Sequence, residues 1–186
     1  MSAAVAEANP RGIPRSPFVE RVEDYVSDAE PAELVLKKFQ EAISKYKFME
    51  MNLLQRRKIL EEKIPEIEKT IAMVSFLTEK KEEQESVLTD FELNDTLFAQ
   101  AKIEPNGTVY LWLGANVMLE YTYEEATDLL TSKLNTAQTS LKNTIEDLSF
   151  LRDQITTMEV NTARVYNWDV KQRRLKRDQE KAASSS

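Results

Sequence analysis

The run LFAQAKIEPNGTVYLWLGANVMLEYT, residues 97–122, interrupts a chain that otherwise repeats every seven residues, and the architecture turns on it. Here the period is two. Leu97, Ala99, Ala101 and Ile103 alternate with Phe98, Gln100 and Lys102; Val109, Leu111 and Leu113 alternate with Tyr110 and Trp112; Val117 and Leu119 alternate with Met118 and Glu120. Alternation of this kind marks strands. Glu104-Pro105-Asn106-Gly107 reads as a hairpin turn between the first two runs, Gly114-Ala115-Asn116 as a second bend, and Val87 to Leu93 as a weaker strand. Two small β-hairpins are therefore expected, within a strand region placed at 89–121. Isolated hairpins are marginal in water, and their outer edges carry unpaired N–H and C=O groups. Large apolar groups fall on both faces, including Tyr110 and Trp112. One chain cannot cover both faces and both edges, so strands from other chains are expected to complete them. Leu97, Ala99, Ala101, Ile103, Val109, Leu111, Trp112, Leu113, Val117 and Leu119 are the candidate oligomerisation residues.

Working outward, residues 31–88 read as one helix. Stepping by seven from Phe39 meets Tyr46, Leu53, Leu60, Ile67, Val74, Lys81 and Leu88. A companion series, Val35, Ala42 and Met49, breaks at Arg56, Lys63 and Thr70, where Ile64 and Ile71 take over one residue along. This is a coiled-coil seam that drifts. Pro65 stands at the drift, where a kink or a break into two helices is expected. A kink there would let the arm bend around bound partners of varied size. Residues 122–177 mirror the pattern: Leu134, Leu141, Leu148 and Ile155 form one column, and Leu130, Ala137, Thr144, Leu151, Met158 and Val165 the other. Thr122 and Glu125 have capping-box spacing. Each helix would be about 85 Å long at 1.5 Å per residue. Matched arms around a central insert point to a fold-back, an antiparallel helical hairpin joined by the two β-hairpins. A parallel homodimer is the competing use of the same heptads. The fold class is mainly α.

Composition supports long helices and excludes chemistry. The 186 residues include 3 Gly, no His and no Cys, with 31% charged and 8% aromatic. Without His or Cys there is no Ser-His or Cys-His nucleophile pair, no usual zinc site and no disulfide. Three scattered glycines build no phosphate loop. No enzyme activity, cofactor or metal is expected. No apolar run reaches the roughly 20 residues a membrane span needs, and the N-terminus lacks a signal-peptide core. A net charge of −7 argues against nucleic acid as a partner.

Residues 1–30 read as a partly disordered N-terminal tail and 178–186 as a disordered C-terminal one. The first 20 residues carry three of the six prolines yet include Ile13, Phe18 and Val19. They read as a tail strapped along a helix or as a sticky segment. In a fold-back, Val22, Tyr25 and Val26 come near Tyr166, Trp168 and Val170 at the far end from the strands. These, with Arg173 and Arg174 of a basic run, are the candidate contact residues at the tip. Pairing among themselves is the alternative for the apolar groups. Dipole compensation is the plain reading of the basic run.

The stretches VYLWLGANVMLEYTYEEA (109–126), KYKFMEMNLLQRRK (45–58), KIPEIEKT (63–70) and FLRDQITTMEVNTARVYNWDVKQRR (150–174) together resemble α-class subunits of the prefoldin family, in the right order over roughly 31–175. The resemblance implies a subunit with two hairpins whose strands contribute to an intersubunit β-barrel. It implies a hexamer of two α-class and four β-class subunits. It further implies ATP-independent capture of unfolded actin and tubulin by coiled-coil tips, transfer to the cytosolic chaperonin TRiC/CCT, and a cytoplasmic location with the nucleus as a second. A structural tether or scaffold is the competing function, but a tether has no reason to interrupt its heptads with two hairpins.

Overall fold

The computed structural model describes residues 8–27 and 30–183, with side chains to Lys181. The element order is a short 3-10 turn (Val22–Asp24), α1 (Ala32–Glu82), β1 (Val87–Asn94), β2 (Leu97–Ile103), β3 (Thr108–Gly114), β4 (Val117–Thr122) and α2 (Tyr123–Ala183). The chain forms two compact units, residues 1–57 with 143–186, and residues 58–142.

In the first unit the helical stretches run antiparallel. Glu33 pairs with Arg173 at 2.9 Å, Lys47 with Glu159 at 3.3 Å and Glu50 with Arg152 at 3.4 Å, so numbers fall along α1 as they rise along α2. The core is the expected seam: Val35, Phe39 and Tyr46 from α1 pack with Leu151, Ile155, Met158 and Val165 from α2. Val19 and Val22 of the N-terminal segment join the same core. Over the described residues that segment is therefore strapped along the helices. Residues 1–7 and 28–29 lie outside the described residues.

In the second unit Val74 packs with Tyr123, Ala126 and Leu130, flanked by Ile67 and Ile71. Ile64 is buried while Lys63 and Thr70 are exposed, as the drifting seam requires. The helix assignment continues through Pro65 without a break.

Two helix ends differ from the sequence reading. Helix α1 ends at Glu82, not residue 88. Gln84 adopts φ 54° and the N–H of Glu85 reaches back to the carbonyl of Lys80 at 3.0 Å, a Schellman closure that stops the helix before β1 begins. Residues 178–183 continue α2 rather than forming a tail, because Asp178-Gln179-Glu180-Lys181 offers no breaker; residues 184–186 lie outside the described residues. Helix α2 starts as expected at a capping box: the Glu125 N–H donates to Thr122 Oγ1 at 3.2 Å, and the Thr122 N–H to Glu125 Oε2 at 3.0 Å.

The hairpins are β1–β2 and β3–β4, two separate two-stranded antiparallel sheets. Their register pairs Phe91 with Ala99 and Val87 with Ile103 in one, and Leu111 with Leu119 and Val109 with Tyr121 in the other. Ala115 and Asn116, at φ 49° and 58°, make the two-residue turn between β3 and β4. The Glu104–Gly107 stretch is not a hairpin turn but the link between the two hairpins. Asn106 is not among the positive-φ residues, and its Oδ1 instead accepts from the Thr108 N–H at 3.1 Å. The Gly107 carbonyl accepts from the Tyr123 N–H at 3.2 Å, one position beyond the Thr108–Thr122 pair, so it faces β4 and not β2.

Candidate interaction surfaces

The strand alternation sorts each hairpin into two faces. On β3–β4, Val109, Leu111 and Tyr121 share a face and pack against the Val74–Ala126 cluster. Farther along the same face, Leu113, Val117 and Leu119 are exposed. The opposite face carries Tyr110, Trp112 and Met118, which meet no partner layer; Tyr110 is 61% and Trp112 60% exposed. On β1–β2 the register gathers Val87, Phe91, Leu97, Ala99, Ala101 and Ile103 on one face. Phe91, Leu97 and Ile103 are exposed, and Ala99 and Ala101 half-buried. The reverse face is mostly polar, with Asp90, Glu92, Gln100 and Lys102.

Each strand pairs on one side only, so every strand also presents an open edge. Of the ten strand residues picked from the sequence, Val109 and Leu111 are half-buried within this chain. The other eight supply apolar surface that this chain leaves open or half-covered. Sequence reading omitted Phe91, Leu88 and Met118, which are more than half exposed.

At the other candidate surface most of the chosen groups pack together. Val22 is buried, and Tyr25, Val26 and Trp168 are half-buried against the same core. The 3-10 turn folds these residues back, and Trp168 Nε1 donates to Glu23 Oε1 at 3.0 Å. The Glu23 carboxyl lies below its usual range, first through its own backbone N–H and then through the indole. Val22 therefore offers no contact surface, and Trp168 offers only part of its ring. Tyr166 remains exposed, Val170 is half-buried, and Leu34 and Leu175 are exposed nearby. Arg173 is engaged by Glu33 and by Asp169 at 2.9 Å each, while Arg174 is exposed.

Heptad counting missed a third column on α2. Asp147, Gln154, Asn161 and Trp168 are spaced by seven, and each binds the N-terminal strap. Asp147 Oδ1 accepts from Asn9 Nδ2 and from Arg11 Nε, both at 2.6 Å. Gln154 Oε1 accepts from the Ser16 N–H at 2.9 Å and from its hydroxyl at 3.0 Å. Asn161 Oδ1 accepts from the Val19 N–H at 2.9 Å while its Nδ2 donates to the Pro17 carbonyl at 2.7 Å. From α1, the Tyr46 hydroxyl donates to the Pro14 carbonyl at 2.9 Å, and burial raises its pKa. The only sequence signal was polar residues at seam spacing, a pattern that usually marks a solvated face. Among the described residues no buried side-chain polar atom lacks a partner.

The chain is similar to known proteins. The family model described as prefoldin subunit matches residues 46–168. Prefoldin subunit 3 of Elsinoe fawcettii is 60% identical over 170 residues, covering 91% of this chain and 86% of that one. Prefoldin subunit 3 of Homo sapiens is 51% identical, covering 87% and 83%. The Saccharomyces cerevisiae protein of the same name is 46% identical, covering 94% and 92%. A chain in the cryo-EM structure of filamentous PFD from Methanocaldococcus jannaschii superposes with a TM-score of 0.52 at 17% identity, over 65% of this chain and 98% of that one, a likeness of fold.

Proposed function

The chain belongs to the prefoldin family of co-chaperone subunits, and on that premise we propose that it joins sister subunits through its two hairpins to form a complex that captures unfolded proteins. The carrying observation is the open apolar surface on the strands: Tyr110, Trp112 and Met118 on one hairpin, Phe91, Leu97 and Ile103 on the other, with an unpaired edge beside each. Contiguous apolar surface rimmed by polar groups marks an interaction site, and open edges invite strand addition. Strands from sister subunits would cover both at once, closing a β-barrel around the hairpins. We take these companions to be five, making a hexamer of α- and β-class chains.

Capture would use apolar groups left outside the coiled coil; near Trp168, itself half-buried, these are Tyr166, Leu175 and Leu34. Several such weak sites held together act by multivalency, which gives useful affinity with easy release. The captured proteins are proposed to be actin and tubulin, and the recipient the cytosolic chaperonin TRiC/CCT. Arg174 and the exposed Lys171 and Lys176 beside it suit an acidic surface on that recipient.

The test is co-expression with the five companion subunits. Trp112→Asp combined with Phe91→Asp should remove this chain from the purified complex while leaving its helical circular dichroism intact. Incorporation undiminished by the double substitution would refute the hairpin assignment. A complex that assembles yet fails to suppress aggregation of denatured actin would favour a scaffold function instead.

A further inference from the structure

The strap is held in an unusual way. Gln154 and Asn161 are buried amides on α2, and three of their bonds go to strap main chain: the N–H of Ser16, the N–H of Val19 and the carbonyl of Pro17. Tyr46 adds a fourth, to the Pro14 carbonyl. Such bonds read an extended backbone rather than a side-chain sequence. The spacing fits that purpose. Seven helical residues rise about 10.5 Å, and three extended residues span about 10 Å. Ser16 and Val19, three apart, thus fall in step with Gln154 and Asn161, seven apart. Pro14 and Pro17 lack N–H groups and bias the residues before them to extended backbone, which suits a strap read through Ser16 and Val19. One side-chain socket supplies selection: Val19 is fully buried among Leu151, Val165 and their neighbours, whereas Phe18 points outward at 52% exposure with the Arg164 guanidinium 5.1 Å from its ring centre.

We propose that this groove is a binding site for an extended segment of a non-native polypeptide, and that residues 13–19 are its resident, displaceable occupant. The fitting segment has a β-branched or similar apolar residue for the Val19 socket and free backbone groups two residues apart for Asn161. Such segments abound in unfolded chains and are hidden in folded ones. The tethered strap competes at an effective concentration of order millimolar. It therefore keeps the groove filled until many client segments arrive together, and it shields the buried amides when none is present. The inference rests on the chaperone reading for the identity of the competitor, but the groove itself belongs to this chain alone.

Two measurements test it. In the first, a fluorescent peptide copying residues 9–23 is titrated into the full chain and into Val19→Asp and Ser16→Glu variants, whose own straps are weakened while the groove is untouched. The peptide should bind either variant at least about tenfold more tightly than the parent chain, and reduced, carboxymethylated α-lactalbumin should compete it off. Equal affinity for parent and variants, or failure of the unfolded protein to compete, overturns the proposal. In the second, which needs no variant, hydrogen exchange is followed at Ser16 and Val19 in the assembled complex. Adding the unfolded protein should speed exchange there about tenfold or more, with α2 unchanged. Capture with unaltered protection at 16 and 19 sinks the inference and leaves the chaperone reading standing; no capture at all sinks both.

Discussion

The carbonyl of Gly107 accepts the backbone N–H of Tyr123 at 3.2 Å, which ties the start of β3 to the first residue of α2. Gly107 has φ 96°, and a Cβ placed on it would meet the end of the Lys81 side chain, which also lies over the Tyr123 ring at 5.7 Å. The lysine tip can swing away; the backbone cannot. Gly107→Ala should therefore destabilise the chain by roughly 1–3 kcal/mol through φ alone. Urea denaturation checks this, and adding Lys81→Ala should not restore the loss.

Thr122 and Glu125 cap α2 reciprocally. Thr122→Ala should cost about 1 kcal/mol. Backbone and hydroxyl bonds from Thr122 hold the Glu125 carboxyl below its usual 4.5. A carboxylate with a lowered folded pKa stabilises at neutral pH and withdraws that contribution on acidification. The contribution is complete above about pH 4.5, shrinks below it, and is gone once the pH passes under the lowered value. In Thr122→Ala the fall in melting temperature with acid should be shallower across that window. An unchanged acid profile would show that the Thr122 N–H, which the variant keeps, governs Glu125 without the hydroxyl.

Leu151 is fully buried where the strap, α1 and α2 converge. Leu151→Ala should lose about 2–5 kcal/mol, the range for a cavity in a packed core. Leu54→Ala, at an exposed position on α1, should stay within about 0.5 kcal/mol. Thermal melts of the two side by side make the comparison.

Pro65 is exposed inside α1 and removes one helical hydrogen bond. Pro65→Ala should raise stability, by up to about 3 kcal/mol. If bending at this residue helps the complex accept clients of varied size, the same substitution should narrow that range. Equal capture of large and small unfolded proteins by the variant complex would detach Pro65 from client handling.

The helices were legible because burial repeats at fixed spacing: the Phe39–Tyr46 and Leu151–Met158–Val165 columns are the core, and Ile64 takes over where Lys63 breaks the companion series. The hairpins were legible as period-two runs, but their pairing was not. Asn106-Gly107 looks like a tight turn, yet Asn106 spends its side chain on Thr108 and Gly107 spends its carbonyl on Tyr123; β2 instead pairs back onto β1 through the turn at Asp95-Thr96, while the bend at Ala115-Asn116 falls where its Gly-Ala-Asn run places it. The misplaced end of α1 traces to Gln84, whose left-handed backbone no composition rule flags. The strap column was invisible for a different reason. Gln154 and Asn161 differ from surface amides only in what lies over them, and their partners are about 140 positions away in the chain. Val22 and Trp168 were offered as contact groups because nothing local shows that the 3-10 turn folds one toward the other.

The separation between Val19 and Asn161, 142 positions, also fixes an order of events. A ribosome makes the strap well before its receptor. At about 5–20 residues per second, the interval is roughly 7–30 s. Throughout that time Ile13, Phe18 and Val19 have no groove to enter. Each newly made copy of this chain therefore spends its synthesis as an aggregation-prone nascent polypeptide, and seating the N-terminal segment is a late step of its maturation.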